Sequence, residues 1–186
     1  MDYLTGLVNY SLDSIGEKWH NINAKRHNSL LNCTTAHLPF PFFYAGAPFI
    51  LRSVIMQKDI DVLARTIYGE ARGESRDGQI AVGWVILNRY RTGRWFAGDT
   101  IADTCTKPFQ FSCWNATDPN REKLLNATEA VLKPFWDVAE RLLNDEFKDP
   151  TGGATHYHTK QVKPKWAKFK TPTAIIGNHV FYNNID

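Results

Sequence analysis

Glu70 and Glu74 stand four residues apart in the run Tyr-Gly-Glu-Ala-Arg-Gly-Glu. On an unbroken helix that spacing puts their Cβ atoms on one face, about 5 to 6 Å apart. Paired carboxylates do acid–base work on glycosidic bonds, at separations of about 5 to 5.5 Å in retaining enzymes and about 6.5 to 9.5 Å in inverting ones. Gly73 works against an unbroken helix, so a capping or ion-pair role for Glu74 competes with that of a second catalytic carboxylate. Glu70 has a stronger case of its own. Ile60, Leu63, Ala64, Ile67 and Ala71 recur at the helical period, and Glu70 falls beside Leu63 and Ile67 at the edge of that stripe. An inward carboxylate is costly unless paired or protonated, and desolvation raises a carboxylic acid's pKa toward the range a general acid needs. Periodicity leaves both assignments open, a general acid and a structural Glu paired with one of the arginines.

A second constellation is His156-x-His158 with the more distant His179. Two or three imidazoles could hold zinc for an amidase, with Glu70 as its base. No further metal signature accompanies them. The expected site holds no metal and no cofactor, and His179 is expected to be a hydrogen-bonded structural residue.

The elements that must position these groups follow from pattern. Asp59 can cap a helix carrying the Ile60–Ala71 stripe, with Arg65 and Arg72 on its solvated face. Gly73 and Ser75 to Gly78 read as a turn. From Gln79 to Arg89 the text is apolar almost all round, which predicts a central buried helix. Residues 91–120 are rich in turn formers and predict loops with a small hairpin around Phe109 to Trp114. Helices are predicted over 121–132 and 134–147, because Pro134 suits a first helical turn. After Gly152 and Gly153, "ATHYH" and "HVFY" have strand-like composition. The predicted class is mainly α (α+β), a helical domain at 57–186 with a small β element.

Residues 1–56 have another texture. The stretch "LPFPFFYAGAPF" carries Pro39, Pro41 and Pro48, which argues against a membrane-spanning helix and for an extended strip against another surface. The first residues lack a signal-peptide layout, since Asp2, Asp13, Glu17 and Lys18 interrupt them. The expected arrangement is an N-terminal arm or docking extension at 1–56. The expected localisation is synthesis in the cytoplasm, with delivery by a partner or a particle.

With 22 Lys and Arg against 19 Asp and Glu, the 186-residue chain carries a formal charge of +3. That balance and the lack of a helix-turn-helix, zinc or RNP signature argue against nucleic acid as partner. The basic residues do gather locally: Lys160, Lys163, Lys165, Lys168 and Lys170 interleave with Trp166 and Phe169, a strip that suits an anionic polymer or is simply a solvated loop. Of Cys33, Cys105 and Cys113, the latter two lie close enough to pair around a short loop.

Four ordered blocks resemble one family: "ARTIYGEARGESRDGQIAVGWVILNR" at 64–89, "PFQFSCWN" at 108–115, "DPTGGATHYH" at 149–158 and "IGNHVFY" at 176–182. Together they look like the spore-cortex-lytic (SleB-like) cell wall hydrolases, whose members also occur in bacteriophages. The resemblance implies a lysozyme-like, lytic-transglycosylase-like fold acting on peptidoglycan glycan strands. It also implies Glu70 as catalytic acid, with lytic transglycosylation the favoured reaction. Gln110 and Ser112 fall in the family's Q-F-S block, where an amide and a hydroxyl suit the N-acetyl and hydroxyl groups of sugars. Fixing the loop backbone is an equal alternative for that pair. Tyr157 and His158 fall in the G-G-A block and are expected either to line the cleft near the scissile bond or to pack in a hairpin, whereas Phe111 and Trp114 are expected to pack. Two alternatives stand beside this reading. One is a virion or tail component with a silent lysozyme-like module, in which residues 1–56 dock to phage proteins; the other is the zinc-dependent amidase.

Overall fold

The structure, a computed structural model, describes residues 49–185. Most of the proposed arm therefore lies outside the described residues. What is described of it, from Phe49 onward, is helical rather than extended. Pro48 is the last proline before Pro108, so nothing from Phe49 to Ala71 forbids a helix. The first helix, α1, accordingly spans Phe49–Ala71 and runs across the boundary drawn between 56 and 57.

Asp59 does not cap α1 but lies buried inside it, where its Oδ1 accepts the backbone N–H of Ala102 at 2.8 Å. It thus satisfies a free donor at the start of α3 (Ile101–Thr106), a helix in the region predicted to be loop. Arg65 is not a solvated charge either. It donates to Asp61 and to the carbonyl of Leu124, both at 2.8 Å, while Asp61 also accepts the indole N–H of Trp136. Arg72 is exposed as expected. Buried Asp61 thus holds α1 to α5 (Glu129–Leu143), and its neighbour Arg65 holds α1 to α4 (Pro119–Leu125).

The central helix, α2, spans Arg76–Thr92, starts on a Ser75 N-cap and ends on Gly93 in the left-handed region at φ 60°. Its residues from Ile80 to Leu87 are all buried, as the all-round apolar text predicts. A Cβ on Gly83 would stand 2.3 Å from Leu142 Cδ1, so this glycine sets how closely α2 and α5 cross.

Two boundaries differ from the pattern reading. Asp118 caps α4 with Pro119 at its first turn, and the chain breaks at Asn126 rather than at Pro134. Pro134 is inside α5, where the carbonyl that lacks its helical N–H donor belongs to Ala130, an exposed residue. The hairpin predicted around Phe109 to Trp114 is instead a turn followed by a 3-10 segment, Ser112–Trp114. Phe109 takes φ 65° and Gln110 N–H donates to the carbonyl of Lys107, so the chain curls before it could pair.

The strand-like blocks do form strands. β1 (His156–Thr159), β2 (Ala174–Ile176) and β3 (His179–Tyr182) make an antiparallel sheet in the order β1-β3-β2. Phe181 and Ala154 pack on Ala81 and Val85 of α2. The loop before β1 is tied by Asp149, which accepts from Thr151, Gly153 and Asn88. Among the described residues no helix is long and apolar enough to cross a membrane.

Candidate active site

Glu70 is the penultimate residue of α1, and two donors from distant parts of the chain meet its half-buried carboxylate. Tyr157 Oη on β1 donates to Oε2 at 2.9 Å, and the backbone N–H of Cys113 donates to Oε1 at 3.3 Å. Burial of its hydroxyl, and then the negative charge of Glu70 and the hydrogen bond to it, push the Tyr157 phenol well above its usual 10. Tyr157 therefore remains a donor throughout the neutral range.

The approach of the Cys113 segment depends on Gly69. A Cβ there would lie 2.7 Å from both Cβ and Sγ of Cys113 and 3.0 Å from Leu124 Cδ1. Trp114 fastens the same segment through a 2.9 Å hydrogen bond from its indole to Thr66 Oγ1 on α1. Phe111 is 2% exposed, so it packs as expected. Cys105 and Cys113 are free and buried; burial pushes the Cys105 thiol up to about 12 and raises Cys113 as well. Neither is a ready nucleophile.

Behind these groups lies Arg89, a residue pattern reading missed. It is buried at the end of α2 and donates to the carbonyl of Thr155 at 2.7 Å and to the carbonyl of Gln110 at 3.1 Å, with a longer contact to Gln110 Oε1 at 3.4 Å. Its guanidinium sits over the Phe111 ring, 4.7 Å from the centroid. Desolvation lowers its pKa, opposed by the charges of Tyr157 and Glu70. One cation thus joins the strand that carries Tyr157 to the loop that carries Cys113. The signal was present in the sequence: an arginine closing a helix otherwise apolar all round has to be paired.

Of the candidate residues, Glu70 and Tyr157 are brought into direct contact, and Gln110 joins them through Arg89. Ser112 is exposed beside Cys113, and its hydroxyl hydrogen-bonds Asp118. Glu74 lies past the end of α1 and accepts from the backbone N–H and side-chain amide of Asn178, at 3.0 and 3.1 Å. The backbone bond from Asn178 is the main influence lowering its pKa, with His179 and Lys160 contributing. The helix stops before Glu74, so the same-face spacing with Glu70 does not arise.

His158 is not beside Glu70. Strand alternation puts Tyr157 and Thr159 on one face of the sheet, opposite Phe181 and His179, and turns His156 and His158 to the other. There His158 stacks on Tyr182 with ring centroids 5.5 Å apart. The same alternation separates His179 from the His156–His158 pair. Among the described residues no three His, Cys, Asp or Glu are grouped to hold a metal. His179 is 4% exposed and packs edge-on against Tyr157 at 5.0 Å, and among the described residues its Nδ1 has no hydrogen-bond partner.

Fold and site together define a carboxylate-centred helical domain of the α+β class. Residues 73–182 match the model of the family described as cell wall hydrolase, and the chain belongs to that family. The match begins three residues after Glu70. Among curated relatives, the spore cortex-lytic enzyme of Oceanobacillus iheyensis is 32% identical over 134 residues, covering 67% of this chain and 41% of the relative. That of Halalkalibacterium halodurans is 31% identical over 126 residues, covering 67% of this chain and 34% of the relative. The chain thus spans less than half the length of either relative. Two solved structures, the catalytic domain of the Bacillus cereus SleB protein and that of the germination-specific lytic transglycosylase SleB from Bacillus anthracis, each align at TM-score 0.50 and 29% identity. Each covers 67% of this chain, and 89% and 93% of the solved chains respectively.

Proposed function

We propose that this protein cleaves the glycosidic bond between N-acetylmuramic acid and N-acetylglucosamine in peptidoglycan, as a lytic transglycosylase with Glu70 as both acid and base. The observation that carries this reading is the single oriented carboxylate, gripped at one oxygen by Tyr157 Oη and at the other by Cys113 N–H. Membership of the cell wall hydrolase family and the likeness to a catalytic domain named as a lytic transglycosylase support the substrate and the reaction.

In the forward step Glu70 gives its proton to the glycosidic oxygen as the C1–O bond breaks. The resulting carboxylate then takes the proton of the muramyl C6 hydroxyl while O6 bonds to C1, closing a 1,6-anhydro ring. The proton is back on Glu70 and no water is consumed. One carboxylate suffices, which agrees with a Glu74 engaged by Asn178. Exposed Ser112 and half-buried Gln110 are assigned in this reading to contacts with hydroxyl and N-acetyl groups. His158, on the outer face of the sheet, would meet only a substrate that extends over that edge.

The test is mass analysis of products released from purified wall by the native chain and by Glu70→Gln. The native chain is expected to leave anhydromuramyl ends, and the variant to lose at least about a thousandfold in rate, of the order expected when a general acid and base is removed. An active Glu70→Gln chain would overturn the assignment, whereas reducing ends alone would replace transglycosylation with hydrolysis. Residues 1–56 are assigned in the same reading to docking on virion or tail proteins that carry the enzyme to the wall; removal of residues 1–48, which leaves α1 whole, is the test.

A further inference from the structure

The lysine-rich loop between β1 and β2 has no part in the chemistry above, yet its charge is unusual for this chain. Between Asp149 and Asp186 the sequence holds five lysines, no arginine and no acidic residue. That stretch carries +5 in a chain of net +3, so the remaining residues sum to 3 − 5 = −2. Lys160, Lys163, Lys165, Lys168 and Lys170 are all exposed, and among the described residues none forms an ion pair.

The loop is fastened to the sheet. Trp166, in a 3-10 turn at Lys165–Ala167, packs edge-on against His156, His158 and Tyr182 with centroids 5.6, 5.7 and 5.3 Å away. Lys160 N–H donates to the carbonyl of Asn178 at 2.8 Å, and Val162 N–H to that of Thr159 at 3.0 Å. Phe169 projects outward, 89% exposed, with the Lys168 ammonium 5.1 Å from its ring centroid. At its first residue the loop reaches Glu74, past the end of α1, since Asn178 N–H donates to Glu74 and the Asn178 carbonyl accepts from Lys160 N–H.

We propose that this loop is a wall-binding subsite in which the five lysines hold the peptide-stem carboxylates of peptidoglycan and Phe169 rests on the strand where it extends over the outer face of the sheet. The occupant follows from complementarity: unpaired ammonium groups spread along a fastened loop suit a polymer with repeated single carboxylates, and an exposed ring suits the apolar face of a sugar. The assignment of peptidoglycan as occupant rests on the functional reading above. The lysines concentrate the chain on the wall, while Glu70 does the chemistry.

The experiment measures retention of the full chain carrying Glu70→Gln, so that the wall stays intact, on insoluble sacculi stripped of phosphodiester polymers by acid. Changing all five lysines to Gln is expected to weaken retention at least tenfold at low salt and to abolish its salt dependence. Changing them all to Arg is expected to preserve it. Amidating the carboxyl groups of the sacculi should lower retention of the parent to the level of the Gln variant. Thermal melts by circular dichroism verify that each variant is folded, as exposed lysines allow. Equal retention of the folded Gln variant, indifference to amidation, loss of retention in the Arg variant, or binding only where phosphodiester polymers remain would each overturn the proposal. The two readings fail separately. A Glu70→Gln chain that still cuts the wall removes the acid and leaves lysine-dependent retention standing, whereas salt-independent retention removes the subsite and leaves the acid untouched.

Discussion

At the scale of single residues, the candidate site turns on how one carboxylate is held. Tyr157 Oη and Cys113 N–H each take one oxygen of Glu70, so the plane of the carboxylate is set from two sides before any ligand arrives. Preorganisation of this kind matters because a misdirected proton donor loses rate without losing affinity. Tyr157→Phe removes the stronger contact and leaves the ring against His179 and Phe181. A hydrogen bond to a charged group contributes about 1.5 to 3 kcal/mol. If that is felt in the transition state, kcat should fall about 10- to 100-fold with KM nearly unchanged. Steady-state kinetics on soluble glycan fragments check this, and a variant within twofold of the native kcat would show that Cys113 N–H alone orients the acid.

At the scale of elements, the site exists because α1, the 3-10 segment at Ser112–Trp114 and β1 come within hydrogen-bond reach of one another. Gly69 is what lets the first two approach. A methyl group there would stand 2.7 Å from Cys113 Cβ and Sγ, and those atoms are buried and hemmed in by Leu124. Gly69→Ala should therefore push the segment outward, at a cost of about 1 to 3 kcal/mol for overpacking. The expected result is a lower melting temperature together with a loss of activity larger than the loss of folded protein, because Cys113 N–H retreats from Glu70. Thermal melts paired with turnover per folded molecule separate the two effects; full activity in the Ala variant would mean that the segment yields without moving the donor. Arg89 belongs to this scale as well. Its bonds to Thr155 and Gln110 tie β1 to the loop before the 3-10 segment, and their loss would loosen both donors together.

At the scale of the whole molecule, the core formed by α1 to α5 lies within the described residues, and its buried members begin at Asp59 and Ile60. Because α1 starts at Phe49, a cut at 56 would remove its first two turns, whereas a cut at 48 leaves it whole. Deleting residues 1–48 should therefore give a folded chain that still degrades purified wall and that, if the docking proposed above holds, no longer assembles with a virion or tail partner. Co-sedimentation with particles and turnover on isolated wall are the two readouts. A deletion that abolishes folding would instead make the segment part of the core.

Much of this protein was determined by local pattern. The apolar stripe of α1, the all-round apolar text of α2, the strand-like composition of "ATHYH" and "HVFY" and the four ordered blocks all depend on near neighbours, where spacing is nearly geometry. Glu70 could be singled out for that reason: its face on a helix follows from its distance to Leu63 and Ile67. Tertiary structure decided what lies between residues far apart in sequence. Asp59 satisfies a donor of α3 instead of capping its own helix, Arg65 is drawn to the Leu124 carbonyl on α4, and Pro134 is accommodated inside α5 where Ala130, four residues before it, is exposed. The two faces of a four-residue strand put Tyr157 against Glu70 and send His158 to the other side, a choice that depends on strand register and not on composition. Glu74 was a possible partner acid by spacing alone, and only the end of α1 at Ala71 turned it toward Asn178.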